Sequence, residues 1–168
     1  QGHDVTLGYL PFCEWRLPIN RFDLRRQNIY ARKVLSKTAP LMKTVSFISK
    51  RAPYVPLPHE LEEAVKEVSL FDTQYTEQIE DIDPNGDIYK LRYRRNRDAA
   101  QSLLGWLRTD RPDVVIVPNG TIMELGVCYR VSRFLKIPTE TYEFSDQRNR
   151  FWVAQNSEVM RQDTNALW

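Results

Sequence analysis

Between residues 91 and 144 the spacing of apolar positions changes repeatedly, and each change marks an element. From Leu91 to Leu107 no proline intervenes, and Ala99, Ala100, Leu103, Leu104 and Leu107 recur at the spacing of one helical face. Thr109-Asp-Arg-Pro112 stops that helix, because the residue before a proline is pushed out of the helical region. Asp113-Val-Val-Ile-Val117 is a short continuous β-branched run ended by Pro118-Asn-Gly120, the pattern of a strand covered on both faces of a parallel sheet. Thr121 to Lys136 returns to helical spacing, with Ile122, Leu125, Tyr129 and Phe134 among its apolar residues, and Ile137-Pro138 closes it. Thr139 to Phe144 reads as a second strand. Helix, strand, helix and strand joined by short connections are the grammar of a doubly wound α/β sheet.

The first half follows this grammar less cleanly. Val5 to Leu10 predicts a strand, and Asn20 to about Ser49 predicts mostly amphipathic helix, interrupted at Pro40. Pro53, Pro56 and Pro58 make a stiff link to a further helix from Glu60 to about Glu80. The tail from Arg148 to Trp168 is polar and weakly periodic, ending on Leu167-Trp168. A chain of 168 residues, 42% of them apolar, suits one core. The expectation is a single α/β domain over 1–168, a Rossmann-like open parallel sheet flanked by helices.

Charge changes the picture through its arrangement. The net charge is only +2, without the basic excess of a dedicated nucleic-acid binder, so no nucleic-acid partner is expected. Yet Arg16 to Arg51 holds ten basic residues against Asp23, and Glu60 to Asp87 holds ten acids against Lys66. One reading is mutual neutralisation across the fold, or solvated faces. The other is that 16–51 meets an anionic membrane surface or an acidic partner. No apolar run approaches the ~18–20 residues that span a bilayer, and the expected location is the cytoplasm, at most peripheral to the inner membrane face.

Candidate chemistry gathers at strand ends. In an open parallel sheet, ligands sit beyond the carboxyl ends of the strands, where a small polar turn leads into a helix and presents backbone N–H groups. Asn119, Gly120 and Thr121 hold that place after the 113–117 strand, although Asn-Gly is also simply a good turn and Thr121 a good N-cap. Tyr142 and Glu143 end the next strand at the same edge, where a carboxylate accepts hydrogen bonds from sugar hydroxyls or takes a proton. Its plainer alternative is a solvated loop acid. Phe12 and Trp15, in Pro11-Phe-Cys-Glu-Trp15, would line a cleft or cover the core.

Other motifs are weaker. Asp81-Ile-Asp-Pro-Asn-Gly-Asp-Ile88 opens like a calcium loop, but Arg92 stands where the bidentate Glu belongs, which favours a Pro-Asn-Gly turn. Lys90-Leu-Arg-Tyr-Arg-Arg-Asn-Arg97 places cations at a helix start, against the dipole, so an anion should compensate them: the acidic block just upstream, or a phosphate. His3 and His59 stand alone and suggest no metal site. Cys13 and Cys128 have no metal spacing and read as two buried thiols or, alternatively, a disulfide.

Taken in order, GHDVTLGYLPF at 2–12, RPDVVIVPNG at 111–120 and LKIPTETYEF at 135–144 resemble the N-terminal domain of a GT-B-fold glycosyltransferase, most closely the retaining family-4-type enzymes of bacterial polysaccharide biosynthesis. The resemblance implies transfer of a sugar from a nucleotide-sugar to a saccharide or lipid-linked acceptor. It places Asn119, Gly120, Thr121, Tyr142 and Glu143 against the acceptor, or facing the donor across a cleft, and assigns no catalytic residue. Nothing here corresponds to the family's first strand and glycine loop, or to the C-terminal domain that binds the nucleotide-sugar. The chain is therefore expected to be the acceptor-side part of a longer enzyme, partnered by that missing domain, binding no cofactor itself and inactive alone. The alternatives are a non-catalytic α/β module with a basic face over 16–51, and half of a sugar-nucleotide epimerase, which shares the fold.

Overall fold

A computed structural model describes residues 2–11, 17–47 and 55–162. The chain divides into two compact units, Gln1–Ala52 and Pro53–Trp168. The architecture is mixed α/β, with four α-helices and two small open sheets among the described residues.

The first unit is a β-α-β element. Strand β1, Thr6–Tyr9, pairs in parallel with β2, Lys43–Ser46, with Gly8 opposite Val45. Between them α1 spans Arg21–Thr38. Asn20 starts this helix, its side-chain oxygen accepting from the Phe22 and Asp23 N–H groups, each at 3.1 Å. The helix expected to continue toward Ser49 instead stops at Thr38. Pro40 has no N–H to extend it, and the β-branched pair Thr44-Val45 then favours strand.

The second unit holds α2 (His59–Glu77), α3 (Asp87–Thr109), β3 (Val115–Pro118), α4 (Met123–Phe134), β4 (Thr139–Phe144) and β5 (Phe151–Gln155), followed by a 3₁₀ turn at Val159–Arg161. The three helices pack together and bury Leu61, Val65 and Val68 of α2, Leu103, Leu104 and Leu107 of α3, and Val127 and Val131 of α4. These side chains recur at three- and four-residue intervals, so each helix presents one stripe to the core. Asp83 to Gly86 is a turn: the Gly86 N–H meets the Asp83 carbonyl at 2.9 Å, and the Asn85 N–H meets the Asp83 carboxylate at 2.8 Å.

The sheet runs β3-β4-β5, parallel then antiparallel. Its inner face buries Val117, Thr139, Thr141 and Ala154. The outer face leaves Ile116, Phe144, Phe151 and Val153 exposed, so the strand at 113–117 is covered on one face and not on the two its β-branched run implied. The polar tail likewise yields a strand: Phe151-Trp-Val-Ala-Gln155 pairs along β4, where aromatic and β-branched side chains fit the pleat. No helix among the described residues is long and apolar enough to cross a membrane.

Candidate functional site

The parallel register of β3 and β4 sets Pro118 opposite Tyr142, so the chain leaving β3 meets the end of β4. The Asn119 N–H donates to the Tyr142 carbonyl at 2.7 Å, extending the ladder by one bond. Asn119 then turns into the left-handed region, φ 59°, and Gly120 follows at φ 83°. Gly120 is required here. A Cβ would lie 2.7 Å from the Thr141 methyl, at a φ that side-chain-bearing residues rarely adopt.

The turn aims the Asn119 amide. Its oxygen accepts from the Thr121 N–H at 2.9 Å, which leaves the Nδ2 end to donate to Glu143 Oε2 at 3.2 Å. Glu143 also accepts from the Phe144 N–H at 3.3 Å. Both side chains are half-buried, so each keeps an open side. On the outer face of the sheet the Tyr142 ring meets Phe144 and Phe151 edge-on, with centroids 6.0 and 6.4 Å apart. An oriented amide and a carboxylate at the carboxyl end of the sheet can hold a hydroxyl-bearing ligand, because the carboxylate oxygens accept from hydroxyls. The Tyr142 patch lies on the opposite face of the sheet, since successive strand side chains alternate.

Thr121 plays a different part from the N-cap suggested by sequence. Helix α4 is preceded by Ile122, without a side-chain cap. The Thr121 hydroxyl instead donates to Glu158 Oε2 at 3.1 Å. Glu158 is only 4% exposed, and burying its charge is tolerable because Arg130 reaches Oε1 at 2.7 Å and Arg161 reaches Oε2 at 3.4 Å. Glu67 of α2 pairs with the same two arginines, at 3.1 and 3.7 Å. The turn therefore rests on a four-membered charge network.

The segment after β5 brings Glu158 there. Asn156 adopts φ 54°, its N–H donates to the Thr139 carbonyl at 2.7 Å, and its side chain accepts from the Thr139 N–H at 3.0 Å. The Thr141 hydroxyl donates to the Ser157 carbonyl at 2.7 Å. Gly126 completes the support: a Cβ would stand 2.5 Å from the Thr121 carbonyl, so a side chain would push the turn off α4.

All five sequence candidates thus lie on one edge: Asn119, Gly120 and Thr121 in the turn, Tyr142 and Glu143 at the end of β4. Glu158, Arg130, Arg161, Glu67 and Gly126 escaped the sequence reading. An isolated glycine inside a helical pattern is a signal for close backbone approach, and Gly126 carried it. Glu158 carried none, since its role depends on a strand hidden in a polar tail. Phe12, Cys13 and Trp15 lie outside the described residues.

Elsewhere three cations of the 90–97 run, Arg92, Arg95 and Arg97, find anions. Arg92 is buried and donates to both oxygens of Asp72, at 3.0 and 3.2 Å, and to the Thr76 hydroxyl at 3.1 Å. Burial pushes the Asp72 carboxyl above its ordinary value, and Arg92 opposes that shift. Arg97 pairs with Glu62 at 2.9 Å, and Tyr93 donates to the same carboxylate. Asp72 and Glu62 belong to the acidic block. Cys128 is a free, buried thiol that burial pushes up to about 12. No group of three or more His, Cys, Asp and Glu among the described residues stands where it could hold a metal ion. Comparison with family models, with curated proteins and with solved structures found no match to this chain.

Proposed function

We propose that this chain is the acceptor-binding part of a GT-B-type glycosyltransferase, which passes a sugar from a nucleotide-sugar to a saccharide or lipid-linked acceptor in polysaccharide biosynthesis. The observation that carries the proposal is the Asn119–Glu143 pair, held at 3.2 Å across the carboxyl ends of two adjacent parallel strands. Ligands of open α/β sheets bind at this place, beyond the strand ends. The strand motifs at 2–12, 111–120 and 135–144 lend the family its support.

In this reading Glu143 accepts from one or two acceptor hydroxyls, and the Asn119 amide fixes the orientation of that carboxylate. Tyr142, on the opposite face of β4, is given no contact with that ligand. Glu158 positions the turn through the Thr121 hydroxyl and touches no substrate itself. The donor nucleotide-sugar would be held by a further domain, and no base is assigned to this chain.

Saccharide binding by the whole chain, followed by ligand-observed NMR, tests the proposal. A hydrogen bond to a charged group is worth about 1.5–3 kcal/mol, so Glu143→Gln should weaken binding by roughly 10- to 100-fold. Asn119→Ala should weaken it less. Binding that survives both substitutions, or is absent from the wild-type chain across acidic and neutral oligosaccharides, would overturn the assignment.

A further inference from the structure

We infer that the solvent face of α1 docks onto an anionic phospholipid surface. The helix carries six basic residues, Arg21, Arg25, Arg26, Arg32, Lys33 and Lys37, against the single acid Asp23. It buries no residue. A helix whose apolar residues served only the core would hide them, yet Phe22 is 75% exposed, Ile29 58% and Tyr30 69%.

Their placement is ordered. Phe22, Arg26, Ile29 and Lys33 follow one another at intervals of four, three and four residues, so they form one line along the helix. Arg25 flanks that line on one side, and Tyr30 and Lys37 on the other, all of them exposed. Asp23 offsets little: it stands 3.5 Å from Arg26 in a solvent-exposed pair.

Apolar side chains in the middle of a basic face suit a bilayer interface. Phe22 and Ile29 would sink to the boundary of headgroups and acyl chains, while the long stems of Arg25, Arg26, Lys33 and Lys37 reach back to the phosphates. A nucleic-acid backbone would match the cations and leave Phe22 and Ile29 in water. This inference is independent of the acceptor site.

The whole chain, sedimented with vesicles of phosphatidylcholine alone or with phosphatidylglycerol added, provides the test. Partition onto the anionic vesicles, lost at high salt, is expected. Each cation near such a surface strengthens binding by about fivefold, so Arg25→Glu with Arg26→Glu should weaken partition by at least ~25-fold. Phe22→Ser with Ile29→Ser leaves the net charge unchanged and should weaken it by about tenfold or more. Phe22→Leu with Ile29→Leu should retain it. Equal partition onto neutral and anionic vesicles would overturn the inference, as would full binding by the serine variant. Binding to a DNA duplex as tight as to anionic vesicles, unchanged in the serine variant, would make the face a polyanion surface instead. Either failure leaves the acceptor site standing, because saccharide binding is measured without vesicles.

Discussion

Helices α1 and α3 carry six cations each, and the fold treats them in opposite ways. In α3, Arg92, Arg95 and Arg97 meet Asp72, Glu124 and Glu62 on the neighbouring helices α2 and α4. Ten of its residues are buried. In α1 none is buried, and four apolar side chains, Phe22, Ile29, Tyr30 and Val34, are exposed among its basic residues. The same residue types are structural in one helix and available to a partner in the other. What separates them is whether a facing helix carries acids at the matching height, which a count of charges along the chain does not record.

The comparison breaks most sharply at Arg92. Its guanidinium is fully buried, so Arg92→Ala leaves the Asp72 carboxylate without a partner in the core and should cost about 3–5 kcal/mol in urea unfolding of the whole chain. Arg92→Met combined with Asp72→Leu removes both charges and should recover most of that loss, because burial penalises each ion separately. A cost below about 1 kcal/mol for Arg92→Ala would mean that α3 is no more committed to its cations than α1.

A smaller difference is expected nearer the surface. Arg97 pairs with Glu62 while partly exposed, so solvent screens the bond and Arg97→Ala should cost about 1 kcal/mol or less. Arg25→Ala, on the exposed face of α1, should stay within about 0.5 kcal/mol of wild type. If the two measurements coincide, the contrast between the helices rests on Arg92 alone.

Sequence made the second unit more legible than the first. The apolar stripe of α3 and the alternation into β3, α4 and β4 were readable because each element is long or strongly patterned. That the cations at the start of α3 need an anion nearby was readable too, with the upstream acids or a phosphate as the choices. Arg92 and Arg97 meet the upstream acids Asp72 and Glu62, while Arg95 meets Glu124 of α4. Strand β2 was lost because four residues after Pro40 do not declare a period. Strand β5 was lost because Trp152 and Phe151 remain exposed at 60% and 63%, so β5 does not read as a buried run. With β5 unseen, Asn156 and Glu158 had no place, and the charge network under Thr121 could not be assembled. The Asn119 turn was visible from its left-handed residues, but the aim of its amide toward Glu143 follows from a strand register that only the fold supplies.

Thiol chemistry gives the finest probe of the same contrast. Cys128 lies on the buried face of α4, where burial raises its pKa from an ordinary value near 9 to about 12. The folded chain therefore holds this proton more tightly than the unfolded chain does. The stabilisation is fully present below pH 9, the thiol's ordinary value, and is lost as pH rises toward about 12. At about pH 8 the thiolate is scarce and shielded, so in a Cys13→Ser background Cys128 should react with an aromatic disulfide reagent only after urea is added. A cysteine placed at Ile29, which is 58% exposed, should react at the rate of a free thiol under the same conditions. Equal rates at the two positions would show that α4 admits water as freely as the outer face of α1.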